Sequence, residues 1–207
     1  MARVKVPRKS THIDMTAMCD VAFLLLTFFI LTAKPRPQDP IPVDIPSSSV
    51  EVAIPDENVL LLTIGDGGKV FYTVDGADVR KQTLLQMGEK YKINFTPEEQ
   101  NKFMSTTIFG VPIGSLKQFL ALDGNDKKNY KQPGIPYDTT ATSELSDWIR
   151  ESRKVNASIK QKPLLISIKG DNKEKYPAVQ KLIALLQKQK VNKFSLITSL
   201  RTAQKTK

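Results

Sequence analysis

The stretch MTAMCDVAFLLLTFFILTA, Met15 to Ala33, decides how this chain is read. It holds one charge, Asp20, and neither proline nor glycine. At about 1.5 Å per residue a helix of this length reaches roughly 28 Å, close to the roughly 30 Å hydrocarbon thickness of a bilayer. Pro35 and Pro37 stop the helix just beyond it. The segment VAFLLLTFFIL is apolar on every side, which speaks against a half-buried helix of a soluble domain. A cleaved signal peptide shares the basic start and apolar core. Asp20 within the core, the lack of an A-x-A site and the prolines where cleavage would fall argue against it. Arg3, Lys5, Arg8 and Lys9 precede the run and only Lys34 and Arg36 follow it, so the N-terminus is expected inside and the bulk of the chain on the far side.

An ionised aspartate deep in a bilayer costs about 2.5–3.5 kcal/mol on insertion scales. Removal from water favours the neutral acid. Such a group can take a proton from one aqueous side and release it to the other. The structural alternatives are that Asp20, about one turn from the inner end, reaches interfacial water, meets the positive end of the helix dipole, or pairs with a basic partner helix. Thr16, Asp20 and Thr27 stand at i, i+4 and i+11, on one side of a helix, while Phe23, Phe28 and Phe29 lie largely elsewhere. A polar stripe on one span meets protein or water rather than lipid. One helix cannot enclose a proton path, so the span needs partner helices.

The stretch IDMTAMCDVAFLLLTFFILT, Ile13 to Thr32, resembles the ExbD/TolR family of bacterial inner-membrane motor proteins. Asp14 takes the family's polar position, Thr16 its threonine and Asp20 its proton-carrying aspartate. Ala17 stands where many members have proline, which bears on the helix start and leaves Asp20 in register. The resemblance implies an ExbD-like subunit of the bacterial inner membrane, with a cytoplasmic N-terminus, an enlarged periplasmic domain and a homodimer of that domain. It implies a polytopic ExbB- or TolQ-like partner. It also implies proton-driven movement passed to a TonB- or TolA-like transducer of outer-membrane transport. Within the linker, VDIPSS resembles the family's segment after the span, which makes Val43, Ile45 and Pro46 candidate partner-binding residues; a plain spacer is the equal alternative.

Charge is unevenly spread over the 207 residues. Residues 1–36 carry +4, residues 37–149 carry −6 and residues 150–207 carry +12, which sum to the net +10. A basic C-terminal third suits a solvated face, anionic lipid or an acidic polymer; without an aromatic stacking pattern, nucleic acid is not expected. Cys19 is the only cysteine and His12 the only histidine, so neither an internal disulfide nor a metal site is expected. There is no Ser/His/Asp grouping and no phosphate loop. Gly65, Gly67 and Gly68 belong to a turn and do not precede a helix. Neither an enzyme nor a cofactor is expected.

Beyond the span, residues 34–58 hold six prolines and read as an extended periplasmic linker. VLLLTIGDGGKVFYTVDG, Val59 to Gly76, is two β-rich runs about Asp66-Gly67-Gly68, a hairpin. A helix over 77–92 follows, with Val79, Leu84, Leu85, Met87 and Tyr91 apolar. PLLISIKG reads as a strand. YPAVQKLIALLQKQK is a helix buried through Val179, Leu182, Ile183, Leu185 and Leu186, and KFSLITSL is a last strand. The order β-β-α…β-α-β fits an α+β domain with helices on one face of an antiparallel or mixed sheet. It is expected over 59–93 and 162–200. Residues 94–161 read as a mainly helical insertion, with Thr96 as an N-cap before Pro97 and Trp148 as the anchor that packs it onto the domain; a superficial elaboration is the expected role and binding of a lineage-specific partner the alternative. Residues 1–14 form the cytoplasmic start and 201–207 a basic tail. The competing function is a membrane-anchored peptidoglycan-binding or scaffold protein of the envelope, with the proline linker reaching toward the wall.

Overall fold

A computed structural model of the chain describes residues 15–33, 47–48, 57–122, 124–138, 143–171, 176–197 and 199–200. The basic start 1–14, the linker residues Val43, Ile45 and Pro46, and the tail 201–207 lie outside them. The chain forms two compact units, Met1–Arg36 and Pro37–Lys207.

The first unit contains helix α1, Met15–Thr32, in which no residue is buried. An unbroken apolar run leaves its backbone groups no better partners than one another, so the helix satisfies itself. Two of its hydroxyls do likewise. Thr27 Oγ1 donates to the carbonyls of Phe23 and Leu24, both at 3.0 Å, and Thr32 Oγ1 donates to Phe28 O at 2.8 Å. This is the form in which polar side chains enter lipid.

The second unit is a mixed sheet with helices. Its strands are β1 (Ser47–Ser48), β2 (Val59–Gly65), β3 (Lys69–Val74), β4 (Ile108–Phe109), β5 (Leu165–Gly170), β6 (Phe194–Ile197) and β7 (Ser199–Leu200). Five of them lie in the order β4-β3-β2-β5-β6; β1 and β7 form a separate two-stranded parallel pair. β3 runs antiparallel to β2 and β4, and β5 parallel to β2 and β6. The β2–β3 turn places Asp66, Gly67 and Gly68 in succession at φ 52, 81 and 90°, so two glycines stand where side chains are strained. Lys69 pairs with Asp66 across it.

Alternation along β2 sends Leu60, Leu62 and Ile64 into the core. Three helices bury their apolar stripes in the same cluster: α2 (Ala77–Tyr91) through Val79, Leu84 and Met87, α6 (Glu144–Lys160) through Leu145, Trp148, Ile149 and Val155, and α7 (Tyr176–Lys188) through Leu182, Leu185 and Leu186. Val179 and Ile183 of α7 are only partly buried at the margin of this core. Helix α2 ends with Lys92 at φ 58° while Ile93 N–H donates back to Gly88 O at 2.8 Å. A Cβ at Gly88 would stand 2.6 Å from Ile93 O, so that tight return requires the glycine.

Residues 94–161 differ from a superficial elaboration. They contribute α3 (Pro97–Ser105), β4, α4 (Ile113–Ala121), α5 (Gly124–Asn129) and the whole of α6. Thr96 caps α3 in a reciprocal box: its Oγ1 accepts from Glu99 N–H at 3.3 Å and Glu99 Oε2 accepts from Thr96 N–H at 2.8 Å. Trp148 is fully buried and centres an aromatic group, with ring centroids 5.7 Å from Tyr72, 6.0 Å from Phe103 and 5.1 Å from Phe109. Phe103 and Phe109 come from this segment and Tyr72 from β3, so the segment completes the core. β4 extends the sheet by pairing Phe109 with Tyr72 and Ile108 with Thr73. Gly134 N–H to Gly110 O, 2.7 Å, and Ile135 N–H to Val70 O, 2.9 Å, continue the cover of that sheet edge.

Candidate functional site

The site that the sequence singles out lies in α1. The helix is unbroken from Met15 to Thr32, so its phase can be read directly. At roughly 100° per residue, Thr16 and Thr27 fall within about 40° of Asp20, on one side. The Thr27 hydroxyl hydrogen is spent on Phe23 and Leu24, which leaves its oxygen to that side as an acceptor. Phe28 and Phe29 meet edge to face at 5.9 Å, as neighbouring rings on the outside of the helix.

Asp20 has neither a hydrogen-bond partner nor an ion-pair partner among the described residues. No other described side chain along α1 carries a charge. Lipid offers such a carboxylate neither a counter-charge nor hydrogen bonds. The arrangement sets one carboxyl group, with two threonines on the same side, on a helix whose other described side chains are uncharged. Among the described residues no group of three or more His, Cys, Asp or Glu side chains is placed to hold a metal ion.

The folded unit holds its own polar constellations, which sequence reasoning missed. Asp147 of α6, almost wholly buried, is met by Lys90, by Arg150 Nη2 at 2.7 Å and by Tyr91 Oη–H at 3.0 Å. Burial first, and the neighbouring Asp147 carboxylate second, push the Tyr91 phenol up. Glu144 accepts from Ile113 N–H at 2.7 Å and from the Trp148 indole N–H at 3.2 Å. Burial pushes its carboxyl up against those two donors. Asp75 Oδ2 accepts from Asn58 N–H at 3.0 Å and from Lys160 Nζ at 3.1 Å. Burial by itself would raise Asp75, but these donors outweigh it and hold the carboxyl below its ordinary range. These groups clamp elements together. Spacing signals only the local part, such as Asp147 and Arg150 at i,i+3; the partners from α2 and β3 come from the tertiary fold.

The linker residues proposed for partner binding, Val43, Ile45 and Pro46, lie outside the described residues. Just beyond them, Ser47 and Ser48 pair in parallel with Ser199 and Leu200.

Comparison with known proteins gives one finding. A family model described as biopolymer transport protein ExbD/TolR matches residues 7–201. A search of curated proteins and a search of solved structures gave no match. The family match runs from the basic flank of α1 through the folded unit into β7, and so the chain belongs to the ExbD/TolR family, with the energy-transducing biopolymer transport role and the single-pass membrane anchorage that fit membership.

Proposed function

We propose that this chain is the proton-carrying subunit of an inner-membrane motor. Asp20 takes up a proton on one side of the membrane and releases it on the other, inside a sheath of helices supplied by an ExbB- or TolQ-like polytopic partner. The resulting movement is passed through the linker and the periplasmic domain to a TonB- or TolA-like transducer. The observation that carries the reading is the carboxylate of Asp20, without a partner among the described residues, on an exposed and otherwise uncharged helix. A mere tether has no use for it, since an aspartate costs about 2.5–3.5 kcal/mol on insertion. Each proton crossing about 100 mV releases roughly 2.3 kcal/mol, so a few protons per step suffice to remodel a protein contact worth several kcal/mol. Four basic residues before α1 against two after it favour a cytoplasmic N-terminus.

The test is Asp20→Asn in the living cell. The variant is expected to be made and inserted at the normal level, to co-purify with its polytopic partner, and to lose energised transport across the outer membrane. Full transport by Asp20→Asn would end the motor reading and leave the anchored scaffold, for which binding of the chain to purified cell wall is the positive sign.

A further inference from the structure

The parallel strands β2, β5 and β6 all begin at one end of the sheet, and the chain enters the folded unit at that end through Asn58. Asn58 N–H donates to Asp75 Oδ2 and its carbonyl accepts from Leu165 N–H at 2.9 Å, while Lys160 reaches the same Asp75 oxygen. These contacts pin the C-terminus of α6, the end of β3 and the starts of β2 and β5 to one place.

The surface around this knot is basic. Lys162 lies in the turn between α6 and β5. Lys193 immediately precedes Phe194, whose partner across the ladder is Ile166. Lys190 closes α7 at φ 59°. All three are exposed, and none makes an ion pair among the described residues. Among the described residues the carboxylates at this end are Glu57 and Asp78, both exposed, and Asp75, which Lys160 already engages, so the lysines outnumber the free carboxylates. The same end is also apolar. Outside α1, three large apolar side chains are exposed among the described residues, Ile159, Leu165 and Leu196, and the first two stand here, each 45% exposed. Ile159 adjoins Lys160, and Leu165 N–H donates to the Asn58 carbonyl.

We propose that this end of the domain docks on an anionic phospholipid surface, with Lys162, Lys190 and Lys193 against the headgroups and Ile159 and Leu165 reaching the apolar boundary beneath them. Lysines alone would serve an acidic wall polymer equally well; the exposed isoleucine and leucine at the same end favour a surface that has hydrocarbon under its charge. The linker that joins the domain to the span keeps such a surface at high effective concentration. Each lysine near an anionic membrane strengthens association about fivefold, so the three together account for roughly a hundredfold.

The inference rests on α1 spanning the bilayer, and the experiment separates the two. The full chain, in a Cys19→Ala background, is reconstituted in vesicles of phosphatidylglycerol and phosphatidylethanolamine or of phosphatidylcholine alone. A fluorophore is attached through Pro163→Cys at the proposed surface, or through Asp171→Cys at the opposite end of the sheet. Quenching by headgroup-labelled lipid is expected at position 163 in anionic vesicles only, weaker at position 171, and abolished by about 0.5 M salt. The triple variant Lys162→Gln/Lys190→Gln/Lys193→Gln is expected to lower it at least tenfold, and Leu165→Ser to weaken it. Equal quenching in both lipids, none in either, or a triple variant that keeps its quenching but loses sedimentation with purified cell wall would overturn the proposal. Failure of the chain to incorporate into vesicles would instead overturn the spanning reading of α1.

Discussion

Replacing Trp148 with alanine tests whether residues 94–161 belong to the core. The side chain is fully buried among Tyr72, Phe103 and Phe109, so truncation removes its transfer energy and opens a cavity that three rigid rings cannot close. Such truncations cost about 3–5 kcal/mol. The indole N–H to Glu144 is lost as well, which adds about 1 kcal/mol because the carboxylate keeps only the Ile113 donor. The sum, about 4–6 kcal/mol, is a large share of the roughly 5–15 kcal/mol that stabilises a typical domain. Trp148→Phe keeps a ring in the cluster and should lose about 1–2 kcal/mol. Urea unfolding of the detergent-solubilised chain, followed by far-ultraviolet circular dichroism, gives both values; fluorescence will not serve, because Trp148 is the only tryptophan. A loss below about 1.5 kcal/mol in the alanine variant would refute the reasoning and return the segment to the surface.

Two further outcomes follow from local geometry. Lys92 holds a left-handed conformation at the end of α2, so Lys92→Gly should stabilise the domain by about 0.5–1 kcal/mol, read as a shift of the urea midpoint at unchanged slope. Asp75 titrates below its ordinary range in the folded state, so its contribution is fully present above the unfolded value near pH ~4 and is lost as pH falls through the lower folded value. The stability gap between the wild type and Asp75→Asn should therefore be constant near neutrality and narrow below about pH 4; a gap that widens on acidification would contradict the hydrogen-bonded carboxylate.

Elements with a strong local cause were legible in the sequence. The β2–β3 hairpin follows from Asp66-Gly67-Gly68, where the positive φ values occur in succession. The start of α3 follows from Thr96, Pro97 and Glu99, whose reciprocal cap needs nothing distant. The phase of Thr16, Asp20 and Thr27 needs only an unbroken helix. What escaped depends on distant partners. β4 is two residues long, too short for any periodic signal, and exists because Tyr72 and Thr73 offer a free edge. The helical character of residues 115–122 is legible, but the start of α4 at Ile113 is not, since the Ile113 N–H donates to the Glu144 carboxylate at 2.7 Å from a later helix. Helix α6 falls within the segment read as an insertion, outside the β-β-α…β-α-β order, yet its buried face carries the aromatic centre. At the site, the spacing supplies the aspartate and its flanking threonines on one side of α1, and no pattern in the sequence encodes what packs against that side.

The central claim is that protons cross the membrane through Asp20. The direct measurement is proton flux into vesicles that hold the chain with its co-purified polytopic partner under an imposed potential. The account predicts measurable flux for the wild type, residual flux for Asp20→Glu, which keeps the exchangeable proton on a longer arm, and none above the empty-vesicle leak for Asp20→Asn. Equal flux through the wild type and Asp20→Asn, with equal incorporation of both proteins, would contradict it.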